Sequence, residues 1–159
     1  MGKNISAFSL FLLVTLTVFT ISCKHTGPVF EKYLKMKNYT WDRFDQKFFE
    51  IPIEETAKNV DITFIVRYND KLAYNDLPLY IILTTPSGEE RIREISIPIR
   101  ENGRLVAVPK SDLYESRVVL WKNLGLPEKG NCKISIENMI PKIQTAGIDE
   151  IGIVVTKTD

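Results

Sequence analysis

The sequence predicts an all-β protein: an antiparallel β-sandwich of about eight strands, jelly-roll-like in organisation. Three observations lead there. Apolar side chains recur with period two through most of the chain, which puts one face of each segment into a core. Gly, Pro, Asn and Asp punctuate these segments at short intervals, as in sandwiches and barrels. No long 3.6-residue period follows residue 23, so helix is confined to a turn or two near Met36, Ser111–Ser116 and Met139–Thr145.

The chain opens with Met1-Gly2-Lys3-Asn4 and an uncharged run, Ile5 to Ile21, that ends at Ser22-Cys23. A short cationic start, an apolar stretch and a small residue before a cut form the signal-peptide pattern. Ser6, Ser9, Thr15, Thr17 and Thr20 weaken the run as a permanent span. An uncleaved anchor or a buried helix are the competing readings. Thr20-Ile21-Ser22-Cys23 resembles the bacterial lipobox, with Thr20 where leucine is usual. Residues 1–22 are therefore expected to be a lipoprotein signal peptide, cut between Ser22 and Cys23, with Cys23 lipidated. One acyl chain binds a membrane only reversibly, so the two or three typical of such cysteines matter for permanence. Residues 23–45 then form a lipid-anchored tether leading into the sandwich, and residues 46–159 the sandwich itself.

The strands follow in order. Lys47 to Ile53 aligns Phe49, Ile51 and Ile53 on one face. Val60 to Asn69 alternates Val60, Ile62, Phe64, Val66 and Tyr68 with Asp61, Thr63, Ile65, Arg67 and Asn69. Leu77 to Thr85 aligns Leu77, Leu79, Ile81 and Leu83, and Thr85-Pro86-Ser87-Gly88 signals a turn. Arg91 to Arg100 aligns Ile95, Ile97 and Ile99; Ile92 is out of phase, so a bulge is expected near Arg93. Pro98 lacks a donor and puts this strand at an edge or irregularity. Asn102-Gly103 is a hairpin signal with a return strand Arg104 to Val108. Val118 to Lys122, Cys132 to Glu137 after the Leu126–Gly130 turn, and Gly147 to Thr156 complete the set.

Charge and residue supply exclude several function classes. Removing residues 1–22 takes away Lys3 alone of the 21 basic residues and none of the 20 acidic ones, so the 137-residue body is neutral. Nucleic-acid binding needs a basic excess, and none is present. The single histidine, His25, sits beside Cys23. The body thus has no imidazole for Ser-His or Cys-His catalysis or for zinc, and no phosphate-binding glycine motif. Glu54-Glu55, Glu89-Glu90 and Asp149-Glu150 are sequence neighbours, and neighbours on a strand face opposite ways. No enzymatic activity, metal or cofactor is expected. Cys132 alternates with Ile134 and Ile136 and reads as a small buried apolar residue.

Two features remain as candidate surfaces. Tyr68-Asn69-Asp70 recurs as Tyr74-Asn75-Asp76. Its oxygens lack the spacing of a calcium loop and suit a strand-connecting loop. With Tyr114 and the Asn102-Gly103 hairpin, these residues are the candidate interaction surface. Trp41, Tyr74, Tyr80, Tyr114 and Trp121 are the aromatics that would stack on a glycan if exposed, although core packing is the commoner fate of such residues.

Val29-Phe30-Glu31-Lys32-Tyr33, Trp41, Arg67-Tyr68-Asn69, Tyr74-Asn75-Asp76-Leu77, Leu126-Pro127-Glu128-Lys129-Gly130, Ile134-Ser135-Ile136-Glu137 and Gly147-Ile148-Asp149-Glu150-Ile151-Gly152-Ile153 follow one another in an order and spacing that carry a family likeness. In them the chain resembles the gliding-motility lipoprotein H family of the Bacteroidota. The resemblance implies an envelope lipoprotein associated with surface motility and protein secretion, without enzymatic activity or cofactor. Lys24-His25-Thr26 carries no acidic surface-display signal, which favours an outer-membrane anchor facing the periplasm. The expected function is therefore a non-enzymatic accessory lipoprotein, held to a membrane through Cys23 and docked on another envelope protein. A glycan-binding sandwich is the alternative.

Overall fold

The computed structural model describes residues 28–53, 57–126 and 128–158. The expected lipidation and cleavage residues, Cys23 and Ser22, and the Glu54-Glu55 pair lie outside them. Thirteen strands occur among the described residues: β1 (Phe30–Lys35), β2 (Thr40–Asp42), β3 (Lys47–Ile53), β4 (Ala57–Tyr68), β5 (Asp76–Thr84), β6 (Glu90–Pro98), β7 (Arg100–Glu101), β8 (Arg104–Leu105), β9 (Val108–Lys110), β10 (Leu113–Leu126), β11 (Gly130–Asn138), β12 (Gln144–Ala146) and β13 (Ile148–Lys157). Helical structure among them is limited to a 3₁₀ turn at Lys37–Tyr39.

Two antiparallel sheets carry the fold, ordered β1-β13-β4-β10-β9 and β3-β11-β5-β6. The strands are more numerous than the eight expected: eight are long (β1, β3, β4, β5, β6, β10, β11 and β13), β1 among them unexpected, and the other five are two or three residues long. Counted in chain order, the eight lie one-eight-three-six in one sheet and two-seven-four-five in the other. This interleaving is that of a jelly roll, in which successive strands other than the fourth and fifth cross between the sheets. Two small ribbons, β2 with β12 and β7 with β8, close loops at one pole.

The alternation in the sequence is what forms the core. Val60, Ile62, Phe64, Val66 and Tyr68 of β4 face Leu77, Leu79, Ile81 and Leu83 of β5 across the sandwich, all buried. Phe49, Ile51 and Ile53 of β3 and Cys132, Ile134 and Ile136 of β11 extend the same layer. Pro98 ends β6, an edge strand, as its missing donor requires. Asn102 (φ 50°) and Gly103 (φ 76°) form the two-residue turn between β7 and β8.

The structure differs from the sequence reading in several places. The sandwich entry expected within 23–45 contains two strands that the sequence does not signal: β1 from Phe30, paired with β13 over six positions, and then β2. There is no bulge at Arg93, because β6 pairs with β5 without a register shift and Ile92 points outward, 53% exposed. The return after the hairpin is split: β8 stays with β7, while β9 joins the other sheet beside β10. Ser111–Ser116 is largely strand rather than helical turn. β10 is longer than expected, and register shifts between Val119 and Leu126 rotate it, so Leu120 and Trp121, neighbours in sequence, are both buried.

Strand directions define two poles. β13 pairs Ile148 with Tyr68 and Lys157 with Val60, while β1 pairs Phe30 with Val155 and Lys35 with Glu150. The start of β1 therefore lies at the pole of Val60, the Thr85–Gly88 turn and Gly130, here the near pole. The loops 36–46, 69–75, 99–107 and 139–147 gather at the other, the far pole.

Candidate functional site: the far-pole loop cluster

The expected surface residues come together, though not all at the surface. Tyr68 lies in the core, fully buried, and its ring stacks on Tyr114 at 6.1 Å and 23°. This corrects its assignment to an interaction surface: Tyr68 is the inward end of the β4 alternation and holds Tyr114 from beneath. Asn69 closes a local turn, its Oδ1 accepting from the Lys71 amide at 3.0 Å and its carbonyl accepting from Leu72 at 3.2 Å. The side-chain oxygen of Asn69 is thus engaged in turn geometry of the kind Asn favours. Asp70, Asn75 and Asp76 are exposed, while Tyr74 and Tyr114 are half-buried.

One residue unassigned from the sequence ties these parts together. Arg100 donates Nε to the Leu72 carbonyl at 3.1 Å, Nη1 to Gly103 at 3.2 Å and Nη2 to Asp70 at 2.6 Å. A planar guanidinium with a fixed donor fork suits three backbone acceptors at once. The Asn75 carbonyl accepts from both Ile99 and Arg100 amides. The 69–75 loop and the Asn102-Gly103 hairpin are therefore one pinned unit.

Gly147 supplies its floor. With φ +99° it occupies a conformation side chains avoid, and a Cβ there would strike the backbone of Leu72. Its amide donates to Tyr39 and its carbonyl accepts from Asn69, both at 2.8 Å. Leu72 plugs the core beneath the loop, fully buried.

Beside this unit the far pole exposes apolar side chains. Phe44 is 83% and Ile143 69% exposed, and the Arg43 amide donates to the Ile143 carbonyl at 2.8 Å, so their loops touch. The Lys142 ammonium lies 6.0 Å from the Tyr74 ring and links this patch to the pinned loop. Along the outside of β5 and β6 runs a groove of about 380 Å³ lined by Pro78, Tyr80, Glu94, Ile95, Ser96 and Met139. Phe44 lies in none of the alternating segments of the sequence. Its exposure depends on the β2–β12 ribbon, a pairing between residues 42 and 144 that no local pattern signals.

Two of the five aromatics that would stack on a glycan lie in the core. Trp41 is fully buried, its Nε1 donating to the Asp45 carbonyl at 2.8 Å, and Trp121 is 6% exposed. Tyr74, Tyr80 and Tyr114 are each half-exposed. Among the described residues no three His, Cys, Asp or Glu side chains cluster as metal ligands. Cys132 is buried and free, and burial pushes its thiol pKa up.

A second polar cluster covers the outer face of the β1-β13-β4-β10 sheet. Arg67 stands between Glu115 on β10 and Glu150 on β13, donating to both, with its Nε 2.6 Å from Glu115. Burial alone would raise the Glu115 pKa. Donors from Arg67, Arg117 (2.8 Å) and Lys110 (3.1 Å) outweigh it and hold the carboxyl at about 2. The Arg67 guanidinium lies 4.8 Å from the Tyr33 ring centroid, and that ring rests on Gly152. Burial, then a hydrogen bond to Glu31, pushes the Tyr33 hydroxyl up to about 12.

Comparison with known proteins gives a consistent picture. The family model described as GldH lipoprotein matches residues 28–155. The gliding motility lipoprotein GldH homolog of Christiangramia forsetii is 24% identical over 162 residues, covering 97% of this chain and 98% of that protein. The gliding motility lipoprotein GldH of Flavobacterium johnsoniae is 23% identical over 156 residues, covering 93% and 96%. Among solved structures, dimeric latent PorU from Porphyromonas gingivalis aligns over 86% of this chain and 14% of its own, at 8% identity and a TM-score of 0.41.

Proposed function

Because the chain belongs to the GldH lipoprotein family of gliding-motility lipoproteins, we propose that it is a non-enzymatic accessory component of the cell envelope, anchored through Cys23 and docked on another envelope protein by its far pole. The anchor faces the periplasm from the outer membrane. The observation that carries this reading is the polarity of the domain. Six residues lie between Cys23 and Phe30, and these seven residue steps reach at most about 25 Å. β13 alone spans ten residues from pole to pole, about 33 Å at strand rise. Phe30 pairs with Val155, close to the near-pole end of that span, so the tether to Cys23 sets out from the near pole, and the pinned loop, Phe44 and Ile143 lie at the opposite one.

The character of the far pole supports docking. Phe44 and Ile143 place two large apolar side chains in water, as interaction sites do, beside a loop pinned by Arg100. Rigid loops lose little conformational freedom when a partner binds.

Membrane fractionation of wild type and Cys23→Ala, with protease treatment of intact cells, tests anchor and side together. Wild type is expected in the outer membrane and protected from protease; Cys23→Ala is expected in the soluble fraction. A Cys23→Ala protein that stays membrane-bound would refute the lipid assignment. Degradation of wild type on intact cells would place the domain outside.

A further inference from the structure

We propose that the contact between Tyr33, Gly152 and Arg67 is a mechanical fastening, which holds the tether strand β1 on the sandwich so that a pull on the anchor is borne as shear. The inference rests on the reading of Cys23 as the anchor, because β1 is then the first described strand after it.

Among the described residues β1 is an edge strand, hydrogen-bonded only to β13. Its start is at the near pole, toward Cys23, and the far pole is the docking side. A force between these points runs along β1. All six register pairs from Phe30–Val155 to Lys35–Glu150 then resist together. A force applied across the strand would open them one at a time from Phe30.

The side chains are arranged against sliding on both faces. On the outer face, Tyr33 sits opposite Gly152, where a Cβ would fall inside van der Waals contact with the ring. Glycine is thus the residue that lets the ring lie flat on the neighbouring strand, as aromatic residues do over sheet glycines. Arg67 covers the ring from β4, held by Glu115 on β10 and Glu150 on β13. The fastening therefore reaches across four adjacent strands. Ile65 is fully buried although it stands on this outer face, in the same row as Gly152 and Tyr33. On the inner face, Phe30 and Leu34 pack against the core. Behind β1, Met36 and Trp41 are buried at 4% and 0% exposure. Sliding β1 toward the membrane would have to drag both from the core.

Single-molecule force spectroscopy on the unlipidated mature chain, with Cys132→Ala leaving Cys23 as the N-terminal handle, tests this. Pairing Cys23 with Asp70→Cys at the far pole loads β1 in shear; pairing it with Ser87→Cys at the near pole peels it. The first rupture is expected to need several-fold more force in the shear geometry. Tyr33→Ala is expected to lower the shear rupture force by about half through faster forced opening. Arg67→Lys, which keeps the charge between the two glutamates but loses the planar stack, is expected to lower it less. Equal forces in the two geometries would overturn the proposal, as would a shear force that neither substitution changes. The result is independent of lipidation, so failure of the Cys23 assignment is read separately, in the fractionation experiment.

Discussion

Gly147→Ala should unseat the candidate docking loop, at a cost that the structure allows to be separated into two parts. The first is conformational. Gly147 has φ +99°, and placing a Cβ in the left-handed region costs about 1–2 kcal/mol. The second is steric. The new methyl would lie against the Leu72 amide and Cα and the Lys71 carbonyl carbon. These are backbone atoms with no free rotation to relieve the clash, so overpacking of about 1–3 kcal/mol is added. Gly88 provides the control: its φ is +89°, but nothing lies within 4 Å of its added Cβ. Gly88→Ala should therefore show the first part alone. Urea denaturation of the mature chain, followed by fluorescence of the buried Trp41 and Trp121, measures both. Gly147→Ala should be less stable than Gly88→Ala by about 1–3 kcal/mol. Equal losses would mean that the 69–75 loop does not rest on Gly147, and that the floor assigned to the site is wrong.

Other expectations follow from named contacts. Arg100→Ala removes donors from the Leu72, Gly103 and Asp70 carbonyls. Amide exchange in residues 69–75 should rise at least about tenfold while global stability falls by about 1–2 kcal/mol; unchanged exchange would remove Arg100 from its pinning role. Glu115 has a folded pKa of about 2 against an ordinary 4.5, so its contribution is present above pH 4.5 and disappears as pH falls from there toward 2. Acid titration should show wild type losing at most about 3 kcal/mol more than Glu115→Gln over that window, and parallel curves would contradict the network. Cys132, buried with its pKa raised, should resist maleimide at pH 8 until urea unfolds the chain; rapid labelling of the native protein would show that β11 opens.

Much of the fold is written in period two, and the sites are where that signal stops. β3, β4, β5 and β11 are legible because each buries one face, so a slip of one residue would turn the whole apolar set to water. β1 is harder to read: it is an edge strand with Phe30, Tyr33 and Leu34 only half-buried, and its place depends on pairing with a strand more than a hundred residues away. The phase of Trp121 depends on bulges in β10, which obey no local alternation. The Tyr68–Asp76 repeat points to the loop that Arg100 pins, yet Tyr68 belongs to the core because it continues the inward phase from Val60. Arg100, Gly147 and Phe44 act through long-range neighbours, which composition and spacing do not disclose. The segments resembling the family become physically intelligible once folded. Tyr33, Arg67, Glu150 and Gly152 come from three of them and meet on one face.

The central claim is that an anchor at the near pole presents the far pole to a protein partner. Site-specific photocrosslinking of the lipidated protein in living cells tests it most directly. A photoreactive phenylalanine analogue is placed at Phe44, Asp70 or Asn102 on the far pole, and at Pro86 or Ser87 on the near pole. The account predicts one discrete, reproducible protein adduct shared by the far-pole positions and absent from the near-pole ones. The same adduct from Ser87, or no protein adduct from any far-pole position, would contradict it.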